Sequence, residues 1–354
     1  MPAREGERFR AGCIAQVMDA FPGLPLVGYE AGDDLAAMQE LGFEALGPLR
    51  VWVKVSEKPG FSVSEATKPG FYHTPGGSKD MRVHHLNCGT LHLPLGVALV
   101  GTGGSLAPAP AVIHCLLIET DAGLLLVDTG FGTRDCIAPT PFMRLMMAMG
   151  GSPRDLEETA TRQVERLGYA PGDVRHIVLT HFHYDHAGGL PDFPEANVHI
   201  LKDEYEAIIK PQDVGERWPY RAEHWSHGPD WVVHGLQGDR WFGFDCTPPV
   251  DLGSIEFCLV PLPGHTRGHS GVALRLPDGW LLHCGDAYTF HGDVDPDNPS
   301  HPPYYRLIRP IFSLNKIFRQ IGRHSPRLRA LLRAHGDEVQ LTCSHDPHDL
   351  EKFR

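Results

Sequence analysis

No two cysteines in this chain stand at C-x-x-C spacing, so neither a zinc ribbon nor a thioredoxin-type redox pair is written into it. The eight cysteines, Cys13, Cys88, Cys115, Cys136, Cys246, Cys258, Cys284 and Cys343, are scattered, which suits reduced thiols in apolar surroundings better than a disulfide framework. Basic charge is also short. Lys and Arg number 32 against 44 Asp and Glu, for a formal charge of −12, and a polyanion partner such as nucleic acid would want a basic surface. A long apolar run is missing as well: Leu91 to Leu117 is broken by Pro94, Gly101, Gly103, Gly104, Pro108 and Pro110, which excludes a membrane span there. Met1 to Ala20 has no clean apolar core, being interrupted by Gln16 and Asp19, so no export signal is read and a soluble, cytoplasmic protein is expected.

Histidine is plentiful, and it is clustered. Residues 181 to 186 read His-Phe-His-Tyr-Asp-His, directly after the apolar run Val174 to Thr180. At the chain's own His and Asp frequencies, roughly 0.006 occurrences of H-x-H-x-D-H are expected by chance. Packing such a cluster without a cation would leave several polar groups buried and unpaired. In extended backbone His181 and His183 share a face and can share one metal. Asp185 and His186 lie beyond the strand, where the chain turns through Ala187-Gly188-Gly189, and can face a second. Neither pair completes a coordination sphere, so further ligands are expected from downstream loops. Three apolar segments end on candidates: Leu259 to His269, Trp280 to Asp286, and Val339 to His345. Upstream, Leu124 to Gly130 repeats the pattern with Asp128.

These five segments, Asp128-Thr129-Gly130, His181 to His186, His269, Asp286 and His345, resemble the five ordered motifs of the metallo-β-lactamase superfamily across about residues 81 to 346. The resemblance implies an α/β (α+β) fold, the four-layer αβ/βα sandwich with metals at the sheet edge. It implies one metal held by His181, His183 and His269, the other by Asp185, His186 and His345, with Asp286 bridging. Asp128 matches the aspartate that orients ligands. Two divalent ions sharing a water lower its pKa from 15.7 toward about 7, so no Ser or Cys nucleophile is needed. Zinc suits an all-N/O ligand set, and iron, manganese or cobalt fit it too. Activity is expected to fall below about pH 6.5, the ordinary imidazole value.

Within the superfamily, the HxHxDHAGG run, the Pro-Gly-His-Thr-Arg-Gly-His turn and a tyrosine after the bridging aspartate are similar to the N-acyl homoserine lactonases. A dinuclear hydrolase that opens an ester or lactone in a small-molecule substrate is the implied function. Asp185, Asp128 and Tyr288 are its expected catalytic side chains. In the lactonases the tyrosine stands three residues beyond the aspartate, whereas Tyr288 stands two beyond Asp286. The alternative is a thioesterase of the hydroxyacylglutathione hydrolase type, for which Arg323, Arg327, Arg329 and Arg333 could bind glutathione, although such spacing reads first as a solvated helix face. A nuclease of the tRNA-processing branch shares the ligands but not the charge balance. A flavin-coupled oxidoreductase would need a Gly-rich phosphate loop, and the chain has none.

The organisation divides near residue 80. Residues 1–80, punctuated by Pro-Gly pairs and closed by Thr74-Pro75-Gly76-Gly77-Ser78, read as a loosely ordered or accessory extension, and residues 81–354 as the catalytic domain. Strands are expected at 112–118, 124–128, 174–180, 197–201, 255–260, 272–276, 280–284 and 339–343. Helices are expected from Ser152 to Gly168 and near 202–209, 313–322 and 326–335. The aromatic stretch from Trp218 to Phe244 could roof an apolar pocket, and Met143, Met146, Met147 and Met149 could line an acyl channel or a homodimer contact.

Overall fold

The protein's structure is a computed structural model that describes residues 81–93, 100–101, 108–302, 305 and 320–353, together with three short strands nearer the N-terminus. Those strands, β1 (Val27–Tyr29), β2 (Phe43–Ala45) and β3 (Val51–Lys54), form an antiparallel sheet in the order β1-β3-β2. They belong to a first unit, residues 1–74, set apart from residues 75–354 by the density of internal contacts. The expected loose extension therefore lies largely outside the described residues, as does the helix expected at 313–322.

Among the described residues, the larger unit holds two large sheets and a two-stranded ribbon. One runs in the order β4 (Val83–Leu93), β5 (Ala109–Thr120), β6 (Gly123–Val127), β7 (Val174–Val178), β8 (Asn197–Leu201) and β9 (Asp230–His234). It is antiparallel from β4 to β6 and parallel from β6 to β9. After the two-stranded ribbon β10 (Asp239–Trp241) and β11 (Phe244–Cys246), the second sheet follows: β12 (Val250–Asp251), β13 (Glu256–Pro261), β14 (Ser270–Leu276), β15 (Gly279–His283) and β16 (Val339–Thr342). Only its last pair is parallel.

Period-2 alternation sorts the apolar side chains into layers. On β6, Leu125 and Val127 face the second sheet, where they meet Phe257, Leu259, Val272, Leu274 and Leu281. Leu124 and Leu126 face the other way, onto a core closed by Met143 and Met147 of the helix Pro141–Met149, Val164 of the helix Ala160–Arg166, and Ala207 and Ile208 of the helix Lys202–Ile209. The far face of the second sheet packs Val260, Ala273, Leu282 and Leu341 against Leu328 and Leu331 of the helix Ser325–His335. The result is helix, sheet, sheet, helix: the expected αβ/βα sandwich.

Two elements differ from the sequence expectation. The helix expected from Ser152 starts as a helical α-segment only at Ala160; Asp155 instead caps a short 3-10 turn, Leu156–Glu158, by accepting from the Glu157 N–H at 2.9 Å. Strand β7 stops at Val178 rather than Thr180, because the Thr180 N–H and hydroxyl are both taken by the Asp128 carboxylate, each at 2.8 Å. The chain is thereby turned out of the sheet one residue before the histidine cluster. No helix among the described residues is long and apolar enough to cross a membrane.

Candidate metal centre

Every candidate ligand follows the C-terminal end of a strand on one edge of the sandwich: Asp128 after β6, His181 to His186 after β7, His265 and His269 after β13, Asp286 after β15 and His345 after β16. The two sheets are tied together at this edge. Ser270 donates its N–H to the Thr180 carbonyl at 3.0 Å, and His114 donates its N–H to the Ser344 carbonyl at 2.8 Å.

Asp128 holds a left-handed backbone, φ 55°, a region that a short polar side chain tolerates better than most. The conformation turns its carboxylate inward. Oδ2 accepts from His186 Nδ1 at 2.8 Å as well as from Thr180, while the neighbouring Thr129 N–H and hydroxyl both donate to the His186 carbonyl. Backbone and ring of His186 are thus fixed from the same three-residue turn. Gly130, at φ 63°, follows because a Cβ there would run into the Cys88 carbonyl.

The imidazoles share one pattern. Nδ1 of His181 meets the Thr180 hydroxyl at 3.0 Å, Nδ1 of His183 meets His265 Nε2 at 2.9 Å, and Nδ1 of His345 meets the Val112 carbonyl at 2.9 Å. Their Nε2 atoms point the other way. Those of His181, His183 and His186 are buried without a hydrogen-bond partner, as are His265 Nδ1 and Asp286 Oδ1. Donor atoms converge in three groups: His181, His183 and His265; His181, His186 and Asp286; Asp185, His186 and His345, within each of which all ligand atoms lie inside 4.8 Å of one another. Asp286 stands between the groups, with Oδ1 3.3 Å from His186 Nε2 and Oδ2 3.3 Å from His345 Nε2 and 3.1 Å from His265 Nε2. Buried polar atoms left without a partner are costly in a protein interior unless a cation satisfies them, and the convergent set of imidazole nitrogens and carboxylate oxygens fits zinc-like divalent ions.

Of the seven sequence-predicted ligands, His181, His183, Asp185, His186, Asp286 and His345 fall in these groups, and His269 does not. His269 lies beside them, its ring centroid 5.1 Å from that of His181. Its Nδ1 meets the Leu262 carbonyl, and its Nε2 accepts the Asp286 N–H at 2.9 Å, so both ring nitrogens are engaged. His265, from the same turn, stands in the group with His181 and His183. The turn carries two histidines four residues apart, which was the signal for it.

Tyr288 is not brought to the centre. Its ring is buried in the core beneath the second sheet, and its hydroxyl donates to Asp349 Oδ2 at 2.9 Å. One residue fewer between aspartate and tyrosine turns the side chain away from the ligands. The arginines considered for glutathione lie at the outer helical layer, Arg327 bonded to the Gly243 carbonyl and Arg329 to the Asp293 carbonyl. Cys284 and Cys343 pack in the same core as Tyr288. The aromatic stretch is divided: Trp225 and Trp231 pack on Phe182, Trp241 and Phe244 join the second core, and Trp218 remains 48% exposed. Met143 and Met147 are core residues, whereas Met149 is exposed.

Electrostatically the centre has two halves. Burial, reinforced by neighbouring imidazoles, holds His181 and His183 well below the ordinary value and pushes His269 down to about 3. Burial opposes charge on His186 and His345 too, but Asp286 and the other carboxylates outweigh it, raising His186 well above the ordinary value and His345 to about 9. The carboxylate-rich half is therefore the one that welcomes positive charge.

Comparison with known proteins agrees with this geometry. Residues 109–321 match the family model described as Metallo-beta-lactamase superfamily. A probable metallo-hydrolase of Mycobacterium tuberculosis is 42% identical over 268 residues, covering 75% of this chain and 81% of the relative. The N-acyl homoserine lactonase AttM of Agrobacterium fabrum is 26% identical over 213 residues, covering 59% and 78%. Among solved structures, a mutant of AiiA from B. thuringiensis with N-decanoyl-L-homoserine bound superposes with a TM-score of 0.52 at 20% identity, covering 77% of this chain and 96% of that one. At that identity the likeness is one of fold.

Proposed function

This chain belongs to the metallo-beta-lactamase superfamily, and we propose that it is a dinuclear metal-dependent hydrolase that opens an ester or lactone of the N-acyl homoserine lactone class. The observation that carries the reading is the convergence of buried imidazole nitrogens and carboxylate oxygens in three adjoining groups, several of those residues having a buried polar atom without a partner. The similarity to N-acyl homoserine lactonases supports the choice of bond.

The ions, zinc first among the candidates, would supply an acidified water and a Lewis acid for the carbonyl under attack. His181 and His183 with a histidine of the 265–269 turn would hold one, Asp185, His186 and His345 the other, and Asp286 would touch both. Asp128 keeps the His186 ring in the tautomer that leaves Nε2 as a donor pair to metal, since Nδ1 must donate to the carboxylate. Asp185 is the more open of the two ligand carboxylates, 15% exposed at the side chain against 6% for Asp286. Its carboxylate, with Oδ2 3.6 Å from His345 Nε2, would take the proton released by the attacking water and return it to the leaving alkoxide. Tyr288 has no part in that transfer.

Hydrolysis of N-acyl homoserine lactones and of a glutathione thioester, assayed side by side on zinc-loaded protein, tests the reading. Ring opening with little thioester cleavage supports it; thioester cleavage without ring opening replaces it with the thioesterase. The substrate is a small molecule in either case, and self-association through the exposed Leu145 and Met149 of the helix Pro141–Met149 is a further proposal, read by sedimentation.

A further inference from the structure

Glu204 takes no part in the chemistry above, yet its carboxylate is among the most fully used polar groups of the described residues. It is completely buried. Oε1 accepts from the Phe182 N–H at 2.8 Å and from the Tyr220 hydroxyl at 3.3 Å; Oε2 accepts from the Thr266 hydroxyl at 2.7 Å and from the Gly268 N–H at 3.1 Å. Phe182 lies between His181 and His183, and Thr266 and Gly268 lie between His265 and His269. One carboxylate therefore spans the two limbs that supply the histidines of one ion position. Gly268 is pressed so closely on the start of the helix Lys202–Ile209 that a Cβ there would run into the Glu204 backbone nitrogen. Tyr220, bonded to the same carboxylate, sets its ring 6.1 Å from that of His183.

Burying a carboxylate is costly even when hydrogen-bonded, and an apolar side chain would serve packing alone at least as well. What an apolar group lacks is directed reach to both limbs. We propose that Glu204 is a positioning residue that sets the separation between the His181–His183 limb and the 265–269 turn, and so the affinity of one ion position independently of the other. The second position is oriented elsewhere: His186 by Asp128, His345 by the Val112 carbonyl. The inference rests on the dinuclear reading of the centre and adds that one of its halves has a positioning residue that the other does not share.

Glu204→Gln keeps the side chain's shape but exchanges one acceptor oxygen for an NH2 group. Whichever way the amide lies, that group meets a backbone N–H, of Phe182 or of Gly268, donor against donor. Zinc stoichiometry by elemental analysis and competitive-chelator titration of the metal-free protein read the outcome. We expect E204Q to keep one tightly held ion while affinity for the other falls about 10- to 100-fold, with the far-UV circular dichroism of the parent. Thr266→Val, which removes a single donor, is expected to shift the same ion by less and decides the matter should E204Q fail to fold. Two ions held at parental affinity in E204Q, or in T266V if E204Q is unfolded, would overturn the proposal, as would an equal weakening of both. These titrations do not use a substrate, so a failure of the lactone assay would leave them standing.

Discussion

At Asp128 one carboxylate ends a strand, turns the chain out of the sheet and orients a ligand ring, three tasks read from three hydrogen bonds at 2.8 Å. Asp128→Asn replaces an acceptor by a donor in that set, and the zinc affinity of the protein is expected to fall about 10- to 100-fold, measured by chelator competition. Tyr288 is the converse. Its hydroxyl bonds to buried Asp349, so Tyr288→Phe is expected to lower unfolding stability by about 1–3 kcal/mol in urea titration while leaving kcat for ring opening within about twofold of the parent, since a rotamer away from the centre cannot enter the rate. Side chains contiguous in sequence were the legible ones: H-x-H-x-D-H announces itself because its members are neighbours and chemically uniform. His265 and His269 were harder, as one turn offers two rings and only packing decides which nitrogen is engaged. Glu204 left no sequence trace, because Lys202-Asp203-Glu204 reads as an ordinary acidic first turn of a solvated helix. Its burial is a fact of tertiary contact with Gly268.

Among the elements, the buried strands were legible from their apolar runs, β5, β6, β8 and β15 above all. Their ends were less so. Strand β7 was expected to reach Thr180, and it stops at Val178 because a side chain more than fifty positions away in the sequence takes the hydrogen bonds the ladder would have used. The Ser152 helix start failed for a local reason, the 3-10 turn capped by Asp155. The strand core itself gives a direct check. Leu125 is fully buried between the two sheets, and Leu125→Ala is expected to cost about 2–5 kcal/mol in urea unfolding. Gly268→Ala, at the contact between the metal-binding turn and the helix Lys202–Ile209, is expected to reduce bound zinc more than it reduces thermal stability, because the clash falls on the limb that carries ligands rather than on the core.

For the molecule as a whole, acid stability follows from buried histidines outside the ligand groups. His199 lies in a hydrogen-bonded row with His176 and His234 across β7, β8 and β9, and His85 is bonded to His114. Burial first, then the neighbouring imidazoles, lowers His199 to about 3 and His85 to about 4. Both stay neutral in the folded state while the unfolded chain takes up protons near the ordinary value of about 6.5. Stability is therefore full above that value and is lost as pH falls from about 6.5 toward 4. Calorimetry of the metal-free protein should show Tm falling across that window; a flat Tm would contradict the assignment. The four-layer architecture was legible only through the family resemblance, since alternation of strands and helices is common to many sandwiches and does not by itself say that two sheets stack.

The claim on which the rest depends is that two cations, held together at one edge of the sandwich, make this protein a hydrolase. Stepwise return of zinc to the metal-free protein, with ring opening of an N-acyl homoserine lactone followed at each step, tests it most directly. Activity should be absent without metal and reach its plateau at two ions per chain. Ring opening that survives complete removal of metal, or a plateau reached with no ion bound at the histidine cluster in a His183→Ala variant, would contradict it.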